Sequence, residues 1–201
     1  MEGIAELGRN MQNTFWGIGF FGWQLSAIYA LYISFKFSWS CIFVFFVSFL
    51  CSGWLNRMIL KQVIYDPRPS NSIAFLKSES FNKKSNGMPS GHAQQSALAL
   101  TFAYIITGKR FYESLILFFM TVLQRYAFHN HTFLQLLVGS IVGVFLGYFT
   151  GYGYLQLLEW YQQQKQKEQE KKQEQKQDQD PESKFKLPSM PSNLSMYANS
   201  K

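Results

Sequence analysis

The residues best placed to do chemistry lie in the stretch Asn86-Gly87-Met88-Pro89-Ser90-Gly91-His92, where a polar connection gives way to an uncharged run. The first N–H groups of a helix have no partner within it and carry partial positive charge. A helix beginning here would therefore offer an anion site suited to phosphate. Gly91 would let the backbone approach a ligand closely, and Ser90 is a good N-cap with a donor hydroxyl. His92 adds a nitrogen that exchanges its proton near neutral pH. Four such residues also describe an ordinary capped helix with a surface histidine, so their surroundings decide.

Two further stretches supply the surroundings. In Lys61-Gln62-Val63-Ile64-Tyr65-Asp66-Pro67-Arg68-Pro69, the prolines flanking Arg68 end any helix arriving from upstream. The second stretch, Gln124-Arg125-Tyr126-Ala127-Phe128-His129-Asn130-His131-Thr132-Phe133-Leu134-Gln135, gathers two histidines, an arginine and three amides. His129 reads as a surface or supporting histidine, and Asp66 as a turn residue or an ion-pair partner of Arg68. Asn130-His131-Thr132 is formally a glycosylation sequon, but a glycan there would block a pocket built on His131.

The elements that position these residues are apolar. The 201-residue chain is 47% hydrophobic and 18% aromatic but only 15% charged. Its mean hydropathy of −0.09 averages an apolar body, 1–160, with a strongly polar segment, 161–201. Uncharged runs cover 10–35, 37–56, 93–107 and 133–158, and a shorter one, about 111–124, contains Glu113. A bilayer crossing takes about 20 apolar residues. The expectation is an all-α integral membrane helical bundle of about five transmembrane helices over 1–160. A low-complexity tail over 161–201, a solvated helix or unstructured, would follow it.

Gly139, Gly143, Gly147 and Gly151 recur every fourth residue in the last run, the small-residue stripe that lets membrane helices approach closely. Cys41 and Cys51 would sit ~15 Å apart along one helix, too far for a disulfide. Net charge is +7. Polybasic chains often bind nucleic acid, but here the cations are scattered between apolar runs and several fall in the motif region. They suit an anionic headgroup rather than nucleic acid. Counting five spans also brings all three stretches to one membrane face.

Lys61, Arg68-Pro69, Pro89-Ser90-Gly91-His92 and Arg125 with His131 together resemble the type 2 phosphatidic acid phosphatase superfamily, whose signature is K-x6-R-P, P-S-G-H and S-R-x5-H-x3-D. The match covers 61–135 and meets the spacing within every motif. Gln124 stands for the Ser and Gln135 for the Asp. Gly87 through Gln94 and His131 through Gly139 are similar to the dolichyl-diphosphatase branch, where Gln also stands in the Asp position.

The resemblance implies that His131 attacks phosphorus and forms a phosphohistidine. His92 would protonate the leaving oxygen and later activate water. Lys61, Arg68 and Arg125 would hold phosphoryl oxygens, with N–H groups near Ser90-Gly91 completing an anion hole. Gln135 would orient His131 without adding charge. A diphosphate expels phosphate, a better leaving group than a lipid alkoxide, so a weaker nucleophile would suffice. No metal and no other cofactor is expected, because no Asp/Glu ligand cluster accompanies the motifs. The expected partners are a lipid (poly)phosphate and the bilayer. Alternatives are a phosphatidate or other lipid-monophosphate phosphatase, and a silent lipid-binding scaffold.

Orientation is read from basic residues near span ends. Lys36, Lys109, Arg110, Lys165 and Lys167 lie on the tail face. Arg9, Arg57, Lys77, Lys83 and Lys84 lie opposite, with the site cations. Discounting the site cations and those deep in the long connection places the tail in the cytoplasm. The resemblance implies a lumenal site in the endoplasmic reticulum or an equivalent membrane.

Overall fold

In a computed structural model of the protein, residues 2–73, 86–108 and 112–179 are described. Lys77, Lys83, Lys84, Lys109, Arg110 and the chain beyond Gln179 lie outside them. Two compact units divide the chain, Met1–Gln156 and Leu157–Lys201. The described residues fold into five helices: α1 (Glu2–Phe37), α2 (Trp39–Val63), α3 (Gly91–Thr107), α4 (Tyr112–Ala127) and α5 (Phe133–Gln179).

α1 and α2 are separated by Ser38 alone, whose hydroxyl accepts from Cys41 N at 3.0 Å and caps α2. α2 does not stop where its apolar run ends at Arg57. It opens into a π-helical turn, Asn56–Leu60, and closes with one α-helical turn, Lys61–Val63. Nothing before Pro67 breaks a helix, so Lys61 stands on the end of α2, beyond the uncharged run 37–56. π-helical turns within α-helices gather at functional sites.

α3 is the central helix. Its Ala93, Ala97, Leu98, Ala99, Phe102 and Ala103 are buried, and α1, α2 and α4 pack on it. Gly108, in the left-handed conformation at φ 63°, ends it. The glycine stripe of α5 lies on α3: an added Cβ would sit 2.5 Å from Ser90 O at Gly139 and 2.6 Å from Leu98 O at Gly147. Only hydrogen fits there, so the stripe brings two backbones together.

Asn13–Phe37, Trp39–Val63 and Phe133–Lys176 are long and apolar enough to cross a membrane, and Ser114–Ala127 is a shorter apolar helix. Large side chains such as Phe35, Trp39, Phe43, Phe145 and Phe149 point outward. The protein is therefore an all-α integral membrane protein. α3 departs from the expected apolar span. It carries His92, Gln94, Gln95, Ser96 and Thr101, and it tolerates them because protein rather than lipid surrounds its buried face.

Candidate active site

All three sequence stretches meet at one end of the Met1–Gln156 unit. Their connections are tied by backbone bonds: Pro67 and Asn86 form an isolated antiparallel bridge, and Gly87 N donates to Asp66 O at 2.8 Å. Asn86 fastens the end of α2. Its amide nitrogen donates to Ile64 O (2.6 Å) and Lys61 O, and its oxygen accepts from Asp66 N at 2.9 Å. Lys61, Asp66 and the start of α3 are thereby held together.

A cavity of ≈ 550 Å³ opens beside this junction. Its apolar wall includes Trp23, Phe49, Leu50, Trp54 and Met58, and its polar wall is Asn56, Arg57, Lys61, Arg68, Gly91, His92, Gln95 and His131. Five of the eight residues proposed from sequence, Lys61, Arg68, Gly91, His92 and His131, line this wall. Ser90, Arg125 and Gln135 lie behind it. Arg57 was not among the eight. It precedes Lys61 by one helical turn, a spacing that puts both on one face, and that was its signal in the sequence.

Arg125, 1% exposed, sits between Phe20 and His92. Its guanidinium lies 4.9 Å from the Phe20 ring centre, and Nη2 donates to His92 Nε2. A guanidinium only donates, so His92 Nε2 is an acceptor in this arrangement. Trp23 packs edge-on against the His92 ring at 5.6 Å. Asn130, fully buried, accepts from Arg125 Nη1 (3.2 Å) and donates to Ile73 O (3.1 Å) with its amide so turned. A buried Asn130 fits a supporting role and makes the sequon unusable in this fold.

Ser90 differs from its expected part. It occupies the N-cap position of α3, but its hydroxyl makes no capping bond and is buried without a partner among the described residues. Its N–H donates to Gln135 O at 3.0 Å and is not available to an anion. The contribution of this turn to an anion site therefore begins at Gly91. A buried amide pair aims the turn: Asn56 donates to Gln94 Oε1 (2.6 Å) and Pro89 O (3.3 Å), and Gln94 donates to Ser52 Oγ (2.8 Å) and Ser52 O (3.0 Å).

His131, 3% exposed, lies in the turn before α5. Its Nδ1 is 3.2 Å from Gln135 Oε1. Gln135 is held in turn by a reciprocal cap at the start of α5. Thr132 N donates to Gln135 Oε1, and Gln135 N donates to Thr132 Oγ1, both at 3.2 Å. Thr132-Phe133-Leu134-Gln135 carries this signal in the sequence. Gly87 leaves the room: a Cβ there would be 2.6 Å from Gln135 Oε1. Burial pushes the His131 imidazole down to about 3, with Arg68, Lys61 and Arg125 acting in the same direction and the Gln135 bond opposing them. His131 therefore presents a neutral ring to a cavity walled by cations. His129, at φ 53°, is exposed in the preceding turn and does not line the cavity.

Such an arrangement can bind a phosphoryl group at an apolar boundary and offer it an unprotonated imidazole. Residues 37–160 match the PAP2 superfamily, and the chain belongs to it. No curated protein and no solved structure matches the chain. Members of this superfamily are phosphatases, and the chain is a membrane phosphohydrolase of the class that acts on lipid phosphates.

Proposed function

We propose that the protein hydrolyses a polyprenyl or dolichyl diphosphate to the monophosphate and phosphate through a phosphohistidine on His131. The observation that carries this reading is the amide contact on His131. Gln135 Oε1 accepts a hydrogen bond from Nδ1–H and leaves Nε2 as the nucleophilic nitrogen, but it brings no charge of its own to His131. A carboxylate in that place would stabilise the imidazolium formed on attack. A neutral amide suits a leaving group that departs easily, which favours P–O–P cleavage over hydrolysis of a lipid monoester.

Lys61 and Arg68, with Gly91 at the start of α3, bind the transferred phosphoryl group on the cavity wall. Arg125 joins them by moving its donors from His92 to the phosphate. That exchange frees His92 Nε2 to carry the proton given to the departing lipid monophosphate and later to take one from the water that releases the phosphoryl group from His131 as phosphate. Side-chain cations supply the charge stabilisation, so the reaction needs no metal, and activity should persist in EDTA. The apolar wall of Trp23, Phe49, Leu50, Trp54 and Met58 receives the first part of the lipid chain.

The test is phosphate release in detergent from a long-chain prenyl diphosphate and from phosphatidate, side by side. Prenyl diphosphate should be the better substrate by kcat/KM. Preference for phosphatidate would assign the site to lipid monoesters instead, and failure to trap any phosphoenzyme would leave the silent scaffold. The site faces the lumen of the endoplasmic reticulum or an equivalent compartment, with the tail in the cytoplasm. A sequon placed near Ser72 should then be glycosylated in eukaryotic cells and Asn193-Leu194-Ser195 should not, whereas glycan on Asn193 would reverse this orientation.

A further inference from the structure

We infer that Asp66 is a positioning residue for His131, acting through Gln135 and restoring the charge that the amide lacks. The inference rests on the reading of His131 as the nucleophile. The side-chain nitrogen of Gln135 meets three oxygens, Asp66 Oδ2 at 2.9 Å, Pro67 O at 3.0 Å and Asp66 O at 3.4 Å. Its side-chain oxygen meets His131 Nδ1 and the Thr132 N–H. Acceptors on one side and a backbone donor on the other leave the amide only one way round.

That orientation has a chemical consequence. With the amide oxygen facing His131, Nδ1 must carry the ring proton, and the lone pair is left on Nε2. Asp66 contributes a second effect. Its carboxylate accepts from the Gln135 N–H, and hydrogen bonds in a chain polarise one another, so electron density shifts toward Oε1. As Nε2 attacks phosphorus the ring becomes cationic, and Nδ1–H becomes a stronger donor to that oxygen. A carboxylate one residue further away thus stabilises the same charge that a direct carboxylate would, but less strongly. The geometry is well defined at Gln135, which is fully buried and clasped by Gly87 and the Thr132 cap.

Moving the carboxylate separates charge from shape. Asp66→Asn keeps an oxygen that can accept from Gln135 but removes the charge. It should slow phosphoenzyme formation in single turnover by about tenfold to 100-fold, as loss of partners that orient a working histidine does elsewhere, with KM changed less than about twofold. Gln135→Glu alone places two carboxylates against each other and should also be slow. The double variant Asp66→Asn/Gln135→Glu puts the charge directly on His131 and should recover most of the lost rate. A purely structural Asp66 would give no such rescue. Wild-type rate in Asp66→Asn, or a double variant no faster than Asp66→Asn, would overturn the inference.

Should Asp66→Asn fail to fold, ¹⁵N spectra of histidine-labelled wild-type protein decide: the Nδ1–H form of His131 is expected, and an Nε2–H form would overturn the orientation. Absence of any acid-labile phosphohistidine in the wild-type protein would instead remove the reading of His131 as nucleophile. The ring tautomer would still report whether Gln135 and Asp66 orient it.

Discussion

Among the described residues, two recesses have nearly equal volume and opposite character. One, ≈ 550 Å³, is walled by Arg57, Lys61, Arg68, His92 and His131 facing a band of aromatic and aliphatic side chains. The other, ≈ 510 Å³, is lined by Ile116, Phe119, Met120, Val122, Leu123, Tyr126, Phe133 and Leu136. Size does not separate them. The difference lies in where the chain was made to bury polarity. Around the first recess, Asn56 on its wall and Gln94, Asn130, Arg125 and Gln135 behind it are buried and bonded to each other, to backbone, or to His92 and His131. Buried polar groups are costly unless bonded, so such a shell persists only where every partner is in place. The second recess has no comparable shell on its wall and is a packing gap on an apolar surface.

The largest break in this contrast is loss of His131, the proposed nucleophile. His131→Ala should lower turnover about 10⁴-fold or more and abolish acid-labile labelling of the protein from a phosphorus-labelled substrate. His92→Ala should slow turnover severely yet retain some label, because attack can proceed when phosphate leaves unaided. More than trace activity in His131→Ala would show that the charged recess is not the reaction site.

Next in size are the cations. Arg68→Ala should cost about 10² to 10³ in kcat, the range for removing one donor aimed at developing charge. Arg57→Gln, at the outer part of the same wall, should raise KM with a smaller effect on kcat. An equal loss in both variants would mean that the recess provides only a diffuse positive field.

The ionisation of His131 gives a prediction of intermediate size. Its ring lies at about 3, well below the ordinary 6.5. An ordinary histidine at pH 5 would be mostly protonated, and about 30-fold fewer molecules would offer a lone pair. His131, held low by burial and three nearby cations, should remain neutral through pH 5 and keep its nucleophile. Ring resonances of the ligand-free protein should show no His131 titration between pH 5 and pH 8. A midpoint near 6.5 would show that the cations do not press on this ring.

The contrast also marks what was legible in the sequence. The charged wall was written in short motifs, because Lys61, Arg68, His92 and His131 carry types and spacings that only a few chemistries use. The glycine stripe from Gly139 to Gly151 was legible because close helix approach leaves a period of four. Three features were not. The end of α2 was not legible because charge at Arg57 marks the end of an apolar run, not of a helix. The part of Ser90 was misjudged because its N–H is taken by Gln135 O, a partner far along the chain. Asp66 read as a turn residue because its meaning depends on Gln135, and no local pattern joins the two. Local chemistry announced most of the charged wall and, behind it, Ser90, Arg125 and Gln135, whereas the parts played by Asn56 and Asp66 became visible only through contacts between distant segments.

The smallest effect is expected at the second recess, and a null result there is informative. Ile116 lines it, is 58% exposed, and lies about 14 Å along α4 from Arg125. Ile116→Phe adds apolar volume without charge at a surface that faces lipid, so folding should tolerate it. kcat and KM toward the lipid substrate should both stay within about twofold of wild type, since scattered apolar surface changes away from a site are usually near neutral. Met58→Trp makes the matching change on the apolar wall of the charged recess and should raise KM several times more if, as proposed, that wall receives the lipid chain. If Ile116→Phe instead raised KM as much as Met58→Trp, the lipid chain would have to run along α4 as well, and the two recesses would serve one substrate from two sides.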